Sequence, residues 1–408
     1  MKRTSLFRLI RLPKEADHLL HYTVIILGIF GVVMQVSASM SSSTVSLRPL
    51  LLISFKQIAF FVISYLAMMF FANVFSFEFV RKYIDKVVII TGLLLIIALA
   101  FPTVGGSNAW IKVGMFGVEV SLQPSEFTKL TMIVLMAIYL GDVKRQELPL
   151  KKLVIKPLVI FLAYIFIIAV LQRDVGSALI LVLITLVTFL VPSNKSLRRM
   201  QLLCVLLAAL FVFMMMWFMT DSGIAFLEKI SIFKYQLVRF KAAINPFTER
   251  YEAGYYDLVN SLIGFNTGGW TGVGLGKSLR KYGYLSAAST DFIMAVIVEE
   301  LGIGGFFLVF IGYAVIIAIL VKYALKAFDE KSKIVIIGVA MYFFFHFVFN
   351  IGGVTCLIPL TGIPLLLISS GGSSSMACLS AIGIVQALIA HTRKLQKEKE
   401  LVNENNRG

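Results

Sequence analysis

Long apolar stretches separated by short polar ones run through almost the whole chain. Ten are of spanning length, near 20–38, 50–73, 86–102, 126–141, 154–172, 174–192, 200–219, 291–321, 333–360 and 363–391. A helix of about 20 apolar residues crosses the ~30 Å hydrocarbon core of a bilayer. The pattern predicts an all-α polytopic membrane protein of about ten transmembrane helices, one transmembrane domain over 1–408. One long connection, 220–290, separates the seventh and eighth spans. Within it Phe226, Ile230, Phe233, Leu237 and Phe240 recur at spacings of four and three, one apolar helix stripe. Lys229, Lys234, Arg239 and Lys241 lie among them, and Pro246 follows. The expectation is an amphipathic helix resting on the outer leaflet.

Composition agrees. The chain is 59% hydrophobic and 15% charged, with a mean hydropathy of +0.89. That excludes an ordinary soluble enzyme, a disordered chain and a small secreted scaffold. Net charge is +16, but in a membrane protein Lys and Arg first report orientation rather than nucleic-acid binding, and no nucleic-acid partner is expected. With both termini assigned inside, the termini and the inner loops hold 25 of the 38 basic residues, while the first two outer loops hold Arg48 and Lys112. Both termini are therefore expected in the cytoplasm. Small residues at Ser37–Ala38 would suit signal-peptide cleavage, but the first run is long enough to span, and removing it would leave an odd count. Cys204, Cys356 and Cys378 sit in apolar runs and form neither a disulfide framework nor a metal spacing.

The unusual polar residues gather on the outer side. They are Arg48; Trp110; Gln123-Pro124-Ser125; Glu126 and Lys129; Arg173-Asp174; Thr290-Asp291; and Gly371-Gly372-Ser373-Ser374-Ser375. Charges at span ends are costly unless they face a polar cavity or each other, so an outward polar site is the economical inference. Glu126 and Lys129, three apart on one helix face, suit an ordinary ion pair as well as a ligand contact. Glu299 and Glu300 suit structural pairing or cavity lining better than catalysis. His346 suits a hydrogen-bonded interior position better than a ligand role.

Gly272-Val-Gly-Leu-Gly-Lys-Ser278 ends like a nucleotide-binding loop, but Thr271 stands where a P-loop needs glycine, and no buried strand precedes it. The better reading is a flexible loop whose backbone N–H groups, with Lys277 and Ser278, meet a phosphate.

Taken in order, Trp110-Ile111, Gln123 to Lys129, Asp174-Val-Gly-Ser177, Gly272 to Ser278, Thr290-Asp291-Phe-Ile, Glu299-Glu300-Leu-Gly302, Asn350-Ile-Gly-Gly353, Pro359 to Pro364 and Gly371 to Ser374 resemble the blocks of the SEDS family (shape, elongation, division and sporulation). The Gly-Leu-Gly-Lys-Ser block followed by Lys281 is more similar to the division (FtsW-like) branch than to the elongation branch. Departures from the family pattern fall at Ala109, Arg173, Ser289, His346, Leu366 and Ser370. The resemblance implies a peptidoglycan glycosyltransferase that polymerises lipid II into β-1,4-linked glycan at the outer face of the cytoplasmic membrane. It implies a class B penicillin-binding protein and other divisome proteins as partners. By match of motif it makes Asp291 the essential acid. Arg48, Trp110, Glu126, Lys129 and Asp174 take polar-cavity positions, with Gln123, Ser125, Lys277, Ser278, Thr290, Ser373 and Ser374 as further substrate contacts.

The chemistry suits this inventory. An acceptor 4-hydroxyl must lose its proton as it attacks the donor's anomeric carbon, and a positioned carboxylate can take it, worth about 10²–10⁴-fold. The leaving lipid diphosphate is a weak base that needs charge rather than a proton. Arg48 and Lys129 are expected to supply that charge, with Lys277 or a divalent cation (Mg or Mn) left open and no certain cofactor. A lipid II flippase or a non-catalytic division scaffold are the competing readings. A transporter would need a polar route to the inner leaflet.

Overall fold

The computed structural model describes residues 11–42, 47–115, 118–141, 150–229, 234–248 and 255–405. Each of the ten apolar runs contains a helix. They are α1 (His18–Ala38), α2 (Leu47–Val74), α3 (Phe77–Ala98), α4 (Pro124–Leu140), α5 (Leu150–Ile165, extended by a π-helical turn Phe166–Leu171), α6 (Val175–Leu190), α7 (Arg198–Phe218), α11 (Ile293–Lys326), α12 (Glu330–Val354) and α13 (Gly372–Asn405). The connection before α11 holds α8 (Asp221–Glu228), α9 (Lys234–Ile244) and α10 (Tyr255–Gly268). Seven helices among the described residues are long and apolar enough to cross a membrane. α4 and α6, with 17 and 16 residues, are shorter than a full crossing needs, and α3 carries five charges between Glu78 and Lys86.

Lipid is the only solvent that suits the periphery. Not one side chain of α7 is buried, and Leu202, Leu206, Phe213 and Met216 are all more than half exposed. An apolar helix uncovered all round would not be tolerated in water. The centre is the inverse. α4 is buried on nearly every side, packed by α3, α6, α12 and α13. Polar ties close the end of the bundle where α1 begins and α13 emerges. Asp17 caps α1 and accepts hydrogen bonds from Tyr323 (2.8 Å) and Arg393 (2.7 Å). Burial would raise the Asp17 carboxyl's pKa, but these donors and the Leu20 amide hold it below the usual value.

Four departures from the expected architecture matter for the site. First, the stripe at 226–240 is not one helix on the leaflet. α8 is capped by Thr220 and closes at Lys229, whose N–H returns to Phe226. α9 then buries Phe240 against Phe218, with ring centroids 5.9 Å apart. Ile230 and Phe233 lie outside the described residues. Phe226 and Phe240 thus pack on the end of α7, at Trp217 and Phe218, with Phe226 still partly exposed. Second, the glycine-rich connection before α4 contains a two-stranded hairpin, β1 (Ile111–Met115) against β2 (Val118–Leu122).

Third, the last run does not begin a helix at 363. Residues 359–371 hold Pro359 and Pro364, and Gly362 and Leu367 have φ of 71° and 65°, so no helix passes until Gly372. Irregular backbone at membrane depth is tolerated only inside protein, and here its carbonyls are taken by side chains. Tyr313 bonds Leu366, Gln35 bonds Ile368 and Ser369, and His346 bonds Pro364.

Fourth, α11 is two helices joined at Gly302 (φ 66°, ψ −161°), a conformation that only glycine adopts readily. The ring of Tyr313 lies 5.0 Å from that of Phe347, and Asn350, one turn further along α12, bonds the carbonyl of Asp291 at 2.9 Å. An unbroken helix would carry Asp291 about 33 Å beyond Tyr313. The first half of α11 is therefore folded back into the bundle, and Ile293–Glu300 are all buried.

Candidate active site

The break at Gly302 leaves main-chain groups unpaired, and the Gly269–Gly274 turn pairs them. Val273 and Gly274 donate to the carbonyls of Glu299 and Glu300 (both 2.9 Å), and Ile303 donates to Gly269 (2.9 Å). The loop then wraps the two carboxylates. Glu300 accepts from Gly276 N–H (2.9 Å), Ser278 N–H (3.3 Å), Ser37 Oγ (2.8 Å) and Lys281 Nζ (2.9 Å), while Glu299 accepts from Arg280 N–H (3.2 Å) and the Ser278 hydroxyl. The anion held by this loop is internal. Ser278, fully buried and bonded to Glu299, is thereby spent, which corrects its assignment to substrate. The N–H groups of Gly272, Val273, Gly274, Gly276, Lys277 and Ser278 are likewise occupied. Lys277 stays exposed on the same loop, beside Glu300 rather than Asp291.

Asp291 stands at the mouth of the buried half-helix and is held by its main chain. Asn350 Nδ2 bonds its carbonyl, Ser369 Oγ bonds Thr290 O (2.7 Å) and Ser370 N–H bonds Ser289 O (2.8 Å). A Cβ placed on Gly362 would sit 3.4 Å from Asp291 Oδ2. On the other flank of that segment, a Cβ on Gly176 would sit 2.8 Å from Thr361 O and 3.8 Å from Asp174 Oδ1. Asp174 and Asp291 thus lie to either side of residues 361–362. Asp174 caps α6 through Ser177 N–H (3.0 Å), and Gln123 Nε2 fixes its other oxygen (2.8 Å) while also reaching Ser177 Oγ (3.2 Å). Ser373 Oγ accepts from Gln123 N–H (3.0 Å), and Ser374 Oγ turns onto Gly371 O (3.0 Å). Thr290 bonds locally to Ala287 O (3.4 Å). Thr361 Oγ1 and Asn350 Oδ1 are buried beside Asp291 with no hydrogen-bond partner among the described residues. Orphans of this kind mark places where water or a ligand belongs.

Burial, with the negative charges of Asp174 and Asp257, pushes the Asp291 carboxyl up to about 6, against the opposing pull of Arg239 and Thr290. An acid poised there is ionised at neutral pH, yet basic enough to take a proton.

Glu126 and Lys129 make a closed set. Lys129 Nζ lies 2.7 Å from Glu126 and 3.2 Å from His346 Nε2; Tyr342 donates to the other Glu126 oxygen (2.7 Å), and His346 Nδ1 reaches Pro364 O (2.9 Å). Both charged side chains are at most 2% exposed. They offer a ligand no surface, which corrects Glu126 and Lys129 as direct contacts and favours the ion-pair alternative. His346 is the interior histidine expected, one nitrogen donating and the other accepting. Ser125 is buried, its hydroxyl without a partner among the described residues. Trp110 is half-buried just ahead of β1. Arg48 lies in the first turn of α2, and its side chain falls outside the described residues.

The cell cycle protein family of FtsW, RodA and SpoVE matches residues 17–394. The chain belongs to this family. It is 32% identical over 398 residues to the Bacillus subtilis (strain 168) protein named "Probable peptidoglycan glycosyltransferase FtsW", covering 96% of this chain and 94% of that one. It is 31% identical over 382 residues to stage V sporulation protein E of the same strain, covering 92% and 98%. Its fold is similar to a chain of a peptidoglycan synthase complex solved for the coordination of polymerization and crosslinking (TM-score 0.68, 21% identity, 92% of this chain and 98% of that chain). It is also similar to the rod shape determining protein RodA of Thermus thermophilus (TM-score 0.60, 20% identity, 92% and 96%). At these identities the two structures speak to fold alone.

Within this FtsW/RodA/SpoVE-type fold, two groups beside Asp291 escaped the sequence reading. Arg239 of α9 donates to Leu360 O at 2.7 Å, two residues from Gly362. Asp257 of α10 accepts from Ser286 N–H (2.9 Å) and Ser286 Oγ (2.6 Å). The periodicity places Arg239 on the polar side of a leaflet helix, and the pattern gives no sign of α10. No group of three or more His, Cys, Asp or Glu side chains among the described residues can hold a metal ion.

Proposed function

We propose that this chain is a multi-pass membrane peptidoglycan glycosyltransferase that polymerises lipid II, with Asp291 as general base. In this reading the acceptor's 4-hydroxyl attacks the donor's anomeric carbon as its proton passes to the Asp291 carboxylate. The bond from the anomeric carbon to the diphosphate breaks, and its electron pair leaves with the lipid diphosphate. Direct displacement converts an α-linked donor into a β-linked strand. Deprotonation of the hydroxyl is worth about 10²–10⁴-fold. Asp174, fixed by Gln123 and Ser177, keeps a second negative charge nearby and so supports the raised basicity of Asp291.

The observation that carries the reading is the placement of Asp291. Main-chain ties at Ser289, Thr290 and Asp291, beside two orphaned polar atoms, support a site built around one carboxylate. The deeper polar groups, Glu126 with Lys129 and Glu299 with Glu300, are closed on internal donors, which favours chemistry over a polar transport route. The count of basic residues supports cytoplasmic termini and an extracytoplasmic site. A class B penicillin-binding protein is the proposed partner, with other divisome proteins around it. Asp291→Asn, purified with that partner, should bind it normally and make no glycan from lipid II; wild-type polymer from this variant would overturn the assignment.

A further inference from the structure

A departing diphosphate needs a cation, and the geometry closes off Lys129, one of the expected ones. Lys129 is enclosed by Glu126, Tyr342 and His346, and Lys277 lies on the loop around Glu300. Three carboxylates, Asp291, Asp174 and Asp257, meanwhile make the neighbourhood hostile to an anion. We propose that Arg239 is the diphosphate-binding residue of this site, carried in by α9 to meet the leaving group opposite Asp291. The inference rests on Asp291 marking the reacting centre.

Three observations carry it. Arg239 Nη1 bonds Leu360 O at 2.7 Å, and Leu360 precedes by two residues the Gly362 that adjoins Asp291 Oδ2. Two residues of extended chain span at most about 7 Å, so guanidinium and carboxyl meet the same short segment, 360–362. Second, Thr361, next to Gly362, and Asn350, which bonds the carbonyl of Asp291, each hold a buried side-chain oxygen with no partner among the described residues, a sign of a missing polar ligand. Third, α9 belongs to the cap on α7, with Phe240 buried against Phe218. Its arginine therefore reaches in from outside the helix bundle, the side from which a lipid headgroup would come. A planar guanidinium matches phosphate oxygens in pairs and stays charged throughout. It would hydrogen-bond the oxygen that receives the electron pair as the sugar–phosphate bond breaks, while the acceptor proton goes to Asp291.

The groups that face Asp291 are Arg239 from α9, Asp174 at the start of α6, Asp257 from α10 and Thr290 beside it. Arg239 alone among them is a cation. Removing it must therefore raise the pH at which Asp291 loses its proton, and Arg239→Lys, which keeps the charge, should restore it; the diphosphate preference is the readout that a merely structural arginine on α9 would not move.

The test uses the full chain with its penicillin-binding partner, purified lipid II as substrate, and undecaprenyl diphosphate or undecaprenyl monophosphate as inhibitor. Arg239→Ala should lower kcat/KM about 10²–10³-fold, as for loss of a charged transition-state donor, with Arg239→Lys recovering part of it. The wild type should bind the diphosphate more tightly than the monophosphate, Arg239→Ala should lose that preference, and the acid limb of its pH–rate profile should move to higher pH. Normal kcat/KM in Arg239→Ala overturns the proposal. So does lost activity with the diphosphate preference intact and the acid limb unmoved. If the alanine variant does not fold, Arg239→Gln, which keeps a donor for Leu360, is judged by the same two readouts. Asp291→Asn run in parallel should keep the diphosphate preference while losing turnover. If Asp291→Asn polymerises normally, the base assignment fails, and the preference test still decides Arg239 separately.

Discussion

Replacing Asp291 by asparagine should stabilise the protein while silencing it. The carboxyl is raised from 3.8 to about 6, first by burial and then by Asp174 and Asp257. A shift of about two units corresponds to roughly 3 kcal/mol held against the folded state at neutral pH. Asp291 is partly exposed, and water trims such a cost, so about 1–2 kcal/mol is expected. Asparagine has the same shape and carries no charge to desolvate, and the tie from Asn350 survives because it ends on the main-chain carbonyl. Because the folded-state pKa is the higher one, wild type loses stability as pH rises from about 4 through about 6, then runs level. The variant lacks that loss. Thermal unfolding in detergent at pH 4.5, 6 and 8 should show midpoints that nearly coincide in acid and separate by pH 8, with the variant higher. A variant less stable than wild type at pH 8, or a gap unchanged across the range, would refute the reasoning.

Three other perturbations probe the frame around the site. Gly302→Ala puts a Cβ 2.4 Å from Trp270 O at a φ of 66°; it should cost about 1–3 kcal/mol or more and cut polymerisation at least tenfold, read by thermal unfolding and glycan yield. Glu126→Gln or Lys129→Met alone strands a buried charge or its partners and should cost about 3–5 kcal/mol, whereas the double variant should regain most of it; a double variant no better than the worse single one would contradict the pairing. In Glu300→Gln the Gly276 and Ser278 amides lose a charged acceptor and should exchange hydrogen for deuterium more than tenfold faster, while unchanged protection would mean that the loop does not depend on the carboxylate.

Much of the architecture was legible because lipid imposes a simple code. Runs of apolar residues long enough to cross became helices, and Asp291 and Asp174, picked out as polar groups out of place in that code, both lie near residues 361–362. What was not legible depended on backbone. An even apolar run over 291–321 gives no sign of a fold-back, although two adjacent glutamates before Gly302 carried a clue, since buried carboxylates demand donors and the only rich source was the glycine loop. The i, i+3 spacing of Glu126 and Lys129 could not decide between pair and ligand, because the deciding neighbours, Tyr342 and His346, lie more than two hundred residues away. His346 makes sense once seen, since its two ring nitrogens serve one donor, Lys129, and one acceptor, the Pro364 carbonyl. Arg173 sits at φ 57°, a value closed to proline and uncommon for a long side chain, and nothing in the run of residues signals it. Arg239 was hidden because a leaflet helix and a capping helix share one periodicity.

The central claim, that Asp291 receives the acceptor's proton, is tested most directly by the pH dependence of single-turnover glycosyl transfer from lipid II between pH 4.5 and 8.5. The account predicts a rate that falls tenfold per pH unit on the acid side, with an apparent pKa near 6 for a carboxyl raised by burial. A rate that stays flat through pH 5, with partner binding and fold intact, would contradict it.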